Sequence, residues 1–361
     1  MPLVSRLTGL LALVCPALSA APLLWGAIRW DAYYNRSSDP SDPAQIVARM
    51  LRPPRFHDRL PFFSFIDPVS GNVTFDENSP AVVDEEIALA VGAGLDHWAF
   101  DVYPPDTLLA GSLAAYLAST SPLKAQLFFC LLLQSSWMTQ GGLAAWPDKV
   151  ALYSAHFARP SYRLVLGDRP LVYLFSVEEG AWGNASAGWG DWAFALRTLN
   201  AASVAAGRGL PYYAIQTWSP ADGAAQAAAI NAAGGGAPIV EALSAYALGG
   251  ATDAGTPFTV FANETADFWS GLAATGFHVL PPIAAGWDQA PRVALPPPWV
   301  PHPDPAFVIM PTPEELGALV ARARDWTLAH AASNPAGVHL VSAWNECGFY
   351  LSPFLPLRSA Q

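Results

Sequence analysis

Eight short apolar, β-prone runs recur along this chain with helix-like stretches between them, and that alternation restricts the fold more than any other feature. The runs span residues 23–34, 97–103, 126–134, 170–176, 212–218, 239–246, 278–284 and 338–345, and helices are expected over 81–91, 106–119, 143–157, 189–206, 221–232, 263–275 and 313–332. Strands that read almost continuously apolar are those covered on both faces, as in a parallel sheet. Eight β/α units in one domain of residues 22–361 predict a (β/α)8 TIM barrel in the α/β class. A doubly wound open sheet is the alternative, and no Gly-rich phosphate loop follows any of the runs to support it. Phe62 to Ile66 and Val73 to Phe75 flank Asp67-Pro-Val-Ser-Gly-Asn72, turn chemistry that predicts a β-hairpin inserted near residues 62–76.

A closed barrel brings the C-terminal ends of its strands to one face, where the chemistry must lie. Read in chain order, those ends carry Arg29, Trp30, Asp31 and Tyr33; Asp101 and Tyr103; Gln134 and Trp137; Glu178 and Glu179; Gln216 and Trp218; Ser244 and Tyr246; Trp287, Asp288 and Arg292; and Trp344, Asn345 and Glu346. A pyranose offers an apolar face to an aromatic ring and a rim of hydroxyls to carboxylates and amides, so this set points to carbohydrate. Glu346 stands out, because a carboxylate at the mouth of a buried strand costs desolvation energy unless a partner or ligand compensates. A structural role, capping a turn or pairing with an arginine, is the competing account of it.

A net charge of −11 without any Lys/Arg run excludes nucleic acid or an anionic membrane as the main partner and favours a neutral ligand such as an oligosaccharide or polysaccharide. Fourteen tryptophans exceed what core packing alone requires, although large interiors also use them. Residues 1–21 combine Arg6, an apolar run from Leu7 to Leu18 and small residues in Ala17-Leu-Ser-Ala20, the pattern of a secretion signal or an uncleaved anchor. Sequons at Asn35, Asn72, Asn184 and Asn263 suit a glycoprotein of the secretory pathway, and no later stretch reads as a membrane span. Without Cys15, only Cys130 and Cys347 remain, so no disulfide framework is expected and burial of each thiol is favoured over a bridge. The seven histidines are scattered and read as satisfied structural residues, so neither a metal site nor another cofactor is expected, and the protein is expected to act as a monomer.

Five stretches, in order, resemble the glycoside hydrolase family 99-like group of (β/α)8 proteins, which includes secreted endo-α-mannosidases and the bacterial WbsX-type proteins. They are Trp30-Asp-Ala-Tyr-Tyr34, Ala93-Gly-Leu-Asp-His-Trp-Ala-Phe100 with Tyr103, Tyr162-Arg-Leu-Val-Leu-Gly-Asp-Arg-Pro170, Gly286-Trp-Asp-Gln-Ala-Pro-Arg292 and Ala343-Trp-Asn-Glu346. In that family the last motif continues from Trp-Asn-Glu through two variable residues to a second Glu and Gly, the two acids forming the catalytic pair at an α-linked sugar. The resemblance therefore implies Glu346 as the first acid, while Phe349 stands where the second would be. The family's Asn-Glu after a Trp on the third strand is likewise replaced by Leu133-Gln-Ser-Ser-Trp137.

One carboxylate cannot both protonate a leaving oxygen and activate a nucleophile, so another strand end must supply a partner if glycoside cleavage occurs. Asp101 is the first candidate, ahead of Asp31 and Asp288; pairing with Arg29 or Arg292 would make Asp101 structural instead. Asp288 is expected to cap its own loop and pair with Arg292. The expected function is a secreted glycosidase acting on an α-linked glycan with Glu346 as acid/base, and the alternative is a glycan-binding pseudoenzyme with the same cleft.

Overall fold

The computed structural model describes residues 23–33, 39–75, 79–184, 186–235, 238–250 and 252–346. The signal segment, the Asn35 sequon, the possible Cys130–Cys347 bridge and the Phe349 position all involve residues outside this described set. Among the described residues the strands are, in order, β1 (Leu24–Arg29), β2 (Ser64–Ile66), β3 (Val73–Phe75), β4 (His97–Val102), β5 (Phe128–Gln134), β6 (Leu164–Val165), β7 (Arg169–Phe175), β8 (Tyr212–Gln216), β9 (Val240–Ser244), β10 (His278–Val279), β11 (Pro282–Ala284) and β12 (Val338–Ser342). β2 and β3 pair antiparallel as a separate two-stranded sheet, with Ser64 opposite Phe75.

Apart from short β6, which lies antiparallel to β7, the larger sheet is parallel and runs β10-β9-β8-β7-β5-β4-β1-β12-β11. Its two terminal strands, β10 and β11, are consecutive in the chain. The run expected as one strand over 278–284 is split, because Pro281 and Pro282 bring no N–H to a ladder. Each half serves a different neighbour: Leu280 N donates to Leu243 O at 2.9 Å, whereas Leu340 N donates to Pro281 O at 3.1 Å. The sheet thus curls round on itself with helices outside, an arrangement consistent with an α/β barrel.

Helices occupy the connections for reasons visible in their ends. The helix Pro313–Ala329 starts with a complete Thr312/Glu315 capping box, and the helix Pro220–Gly234 starts at the Ser219 cap and ends at left-handed Gly235. The helix Phe258–Ala274 begins earlier than the expected residue 263. Much of the tryptophan is core: Trp98, Trp146, Trp192, Trp269 and Trp344 are fully buried between sheet and helices. Among the described residues, no helix is long and apolar enough to cross a membrane.

Candidate functional site

A cavity of about 590 Å³ opens at the C-terminal ends of the parallel strands. The expected residues Trp30, Asp101, Tyr103, Gln134, Trp218, Tyr246, Trp287, Arg292 and Glu346 all border it. The size lies within the ~300–1,000 Å³ usual for small-ligand sites. Two carboxylates face this space from very different surroundings.

Glu346 follows β12 and is 6% exposed. Its Oε1 accepts from Arg292 Nη2 at 2.7 Å, and its Oε2 accepts from the Tyr246 hydroxyl at 3.0 Å. Arg292 thus holds Glu346 in the cavity wall through an ion pair. Burial, and then the charge of Glu346, hold the Tyr246 phenol well above its ordinary range, so it remains a donor.

Asp101, in β4, has no cation partner among the described residues; Arg29 is paired with Asp31 and Glu86, and Arg292 with Glu346, instead. Its Oδ2 accepts from Gln134 Nε2 at 2.7 Å and from the Tyr103 hydroxyl at 3.0 Å, while Oδ1 is buried with no hydrogen-bond partner among the described residues. Burial raises its carboxyl well above the ordinary value, the Tyr103 and Gln134 hydrogen bonds oppose the rise, and the negative charges of Glu346 and Asp31 add to it. Tyr103 is fixed in turn, since its oxygen also receives Trp30 Nε1 at 2.8 Å and Gln134 Nε2 at 3.1 Å.

The aromatic wall is built from two tryptophan pairs. Trp30 meets Trp299 edge-on with ring centroids 5.7 Å apart, and Trp218 meets Trp287 edge-on at 6.3 Å. Tyr246 lies against Phe175, centroids 4.6 Å apart and planes tilted by 32°.

The remaining sequence candidates lie elsewhere, and each placement is a correction with a physical cause. Asp31, Tyr33, Trp344 and Asn345 stand behind the wall as its support. Arg29, fully buried, donates from Nε to Asp31 Oδ1 and from Nη2 to Glu86 Oε2, both at 2.7 Å. Asn345 donates to Asp31 at 2.9 Å and accepts from the Trp30 backbone N–H at 3.0 Å, and its carbonyl accepts from the Tyr33 hydroxyl. Trp344 Nε1 donates to Glu86 Oε1 at 3.1 Å. Glu86, in the first half of the helix Pro80–Gly92, is thus a buried partner, and burial raises its carboxyl against the opposing pull of Arg29. Asp288 caps its loop by accepting from Ala290 N at 2.8 Å, but its ion pair is with Arg59, because Arg292 is turned to Glu346. Trp137 packs under the Lys149 ammonium, 4.2 Å from its ring centroid, and Gln216 is buried below the cavity wall.

Sequence reasoning missed Trp299, Val300 and Gln289, which also line the cavity. They sit in the Pro-rich loop 288–312, away from any strand end; Trp299 after Pro296-Pro-Pro298 was the available signal, a large ring on a stiffened loop. Among the described residues, no group of three or more His, Cys, Asp or Glu is placed to hold a metal ion.

No family profile matches the sequence, and no curated protein matches it. Solved structures do. The endo-alpha-mannosidase of glycoside hydrolase family 99 from Bacteroides thetaiotaomicron, in complex with bis-tris propane, is 12% identical with a TM-score of 0.51, covering 92% of this chain and 86% of its own. A second structure of the GH99 endo-alpha-mannosidase from that organism is also 12% identical, with a TM-score of 0.50, covering 91% of this chain and 86% of its own. At this identity the likeness is one of architecture: the chain has a distant GH99-like fold.

Proposed function

We propose that the protein is a secreted glycoside hydrolase-like (β/α)8 barrel acting on an α-linked glycan, with Glu346 and Asp101 as its two acids. The observation that carries this reading is the contrast between two carboxylates in one tryptophan-walled cavity: one ion-paired to Arg292, the other buried without a cation among the described residues, its carboxyl raised well above the ordinary value by burial. Placing two acids in unlike surroundings is how acid and base roles are divided. Asp101 is the proton donor to the leaving glycosidic oxygen, and Glu346 is the carboxylate that faces the sugar as base or charge stabiliser. Trp30, Trp218 and Trp287 supply ring platforms for pyranose faces, and Gln134 and Gln289 supply amides for hydroxyls. The GH99-like architecture supports a glycan substrate, and the endo-alpha-mannosidase activity of those neighbours makes α-mannosides the first to test. Secretion rests on residues 1–21 and the four sequons.

Incubation with α-linked mannose oligosaccharides, followed by reducing-end release, tests the reading. Glu346→Gln is expected to lower turnover by a factor of about 10² to 10⁴, the usual contribution of a general acid or base, while glycan binding persists. A second reading, glycan binding without turnover, is favoured by one feature: both Glu346 oxygens are already engaged, by Arg292 and Tyr246. Retained affinity with no product from the wild-type protein would decide for it.

A further inference from the structure

Trp218 borders more than the acid cavity. It stands just past β8 with 55% of its surface exposed, and it also lines a separate groove of about 320 Å³ together with Leu248, Gly249, Gly250, Glu264 and Phe268. The groove lies between the loop after β9 and the helix Phe258–Ala274, on the same strand-end face as the cavity. Its one side-chain carboxylate, Glu264, forms no hydrogen bond or ion pair with any described residue. The neighbouring backbone makes room for that carboxylate: Gly250 has φ of +122°, and a Cβ there would run into the Glu264 carboxylate. Thr265, which also lines the groove, has its hydroxyl donating to Phe261 O at 2.9 Å within the helix.

An exposed indole, two apolar side chains and an acceptor-only carboxylate over bare glycine backbone match one sugar unit, apolar on its face and hydroxylated on its rim. Neither Lys nor Arg lines the groove, and the one arginine of the cavity is bound to Glu346, so nothing there calls for an anionic ligand. Trp218 borders both spaces, so the groove adjoins the cavity across this ring.

We propose that the groove between Trp218 and Glu264 is a subsite for a further, uncharged sugar unit of the same glycan chain whose reacting linkage lies at Asp101 and Glu346. The inference rests on the sugar reading of the cavity and extends it: the ligand is an oligosaccharide long enough to pass Trp218, and chain length is sensed at Glu264.

Calorimetric titration of the full chain with α-linked mannose and α-linked glucose oligosaccharides, from monosaccharide to pentasaccharide, tests it. Affinity is expected to rise with length, and the gain brought by the longest ligands is expected to fall about tenfold in Glu264→Gln, the scale of one hydrogen bond to a charged group. Gly249→Leu provides a second probe, because Gly249 lines the groove and a Cβ there meets no atom within 4 Å, so a side chain added at this position is expected to compete with a ligand for the space. Thermal unfolding of both variants at the wild-type temperature confirms that they fold. Affinity that stops rising once the acid cavity is filled, or a length gain that survives both variants, overturns the subsite alone. Failure of every oligosaccharide to bind the wild-type protein overturns the sugar reading of the cavity and the subsite with it.

Discussion

At Asp101, two donors converge on a single carboxylate oxygen while the other oxygen has no partner, and the pH dependence of stability follows from that arrangement. The folded-state value is raised, so the unfolded chain gives up its proton first as pH rises. The contribution is therefore fully present below about 3.9, the unfolded value, and is lost as pH climbs from there to the raised folded value. Asp101→Asn keeps a neutral side chain at every pH, so its stability relative to wild type should improve between pH 4 and pH 7; urea unfolding at the two pH values measures this, and parallel curves would contradict it. Tyr103→Phe removes the group that receives Trp30 Nε1 and Gln134 Nε2, leaving indole and amide donors short of an acceptor in a half-buried site. A loss of about 1–3 kcal/mol is expected in the same unfolding measurement, with the Trp30 indole environment altered in near-ultraviolet circular dichroism. Asp101 and Glu346 were legible as candidates because both fall at strand ends. What strand position alone did not reveal was side-chain direction: Trp30 turns into the cavity, and its neighbours Arg29 and Asp31 turn behind it toward Glu86, the alternation an extended chain imposes. Applied to residues 29–31, that period would have moved Asp31 out of the predicted site.

The strands were readable because long buried runs such as Phe128-Phe-Cys-Leu-Leu-Leu-Gln134 have no polar interruption. Their ends were not, since β1 stops at Arg29 and β12 at Ser342, both short of the apolar residues that follow in the chain. Four of the histidines, His57, His278, His330 and His339, have the hydrogen-bond partners expected of structural residues, but His97 differs. His97 is fully buried at the start of β4, neither ring nitrogen has a hydrogen-bond partner among the described residues, and burial holds its pKa well below the ordinary value. It is neutral packing material, and its place depends on β1: Gly26 is paired in register with His97, and a Cβ at Gly26 would run into the imidazole. Gly26→Ala should therefore cost about 1–3 kcal/mol by overpacking. The cause is separable by a double-mutant cycle in urea: the cost of Gly26→Ala should fall markedly in a His97→Ala background, where the ring is gone. Additive costs would show that the glycine is required by the β1 backbone and not by the ring beside it.

The curl of the sheet, in which β1 pairs with β12, places residues far apart in sequence against one another, and the polar cluster behind the cavity depends on it. Arg29 from β1, Glu86 from the helix Pro80–Gly92, and Trp344 and Asn345 from the end of β12 meet only because the first and last strands pair, with Leu24 opposite Val338. No local signal could reveal this contact, since Asn345 reaches Asp31 across 314 positions. The cluster also fixes the cavity from behind: Asn345 holds the Trp30 backbone, and Glu346 is the next residue along. Removing only the cation is the severest test. Arg29→Met keeps much of the side chain's volume, including contact with Trp98, whose ring centroid lies 4.5 Å from the guanidinium carbon, but it strands Asp31 and Glu86 as buried acids without their cation. A loss of about 3–5 kcal/mol is expected, the usual cost of breaking a buried ion pair from one side. The triple variant Arg29→Met, Asp31→Asn, Glu86→Gln removes all three charges together and should recover most of that loss, because the desolvation of every charged group disappears with the charges themselves. Urea unfolding of the two variants measures the difference. A triple variant no more stable than Arg29→Met would show that directional hydrogen bonds, and not compensation of charge, hold the two ends of the sheet together beneath the site.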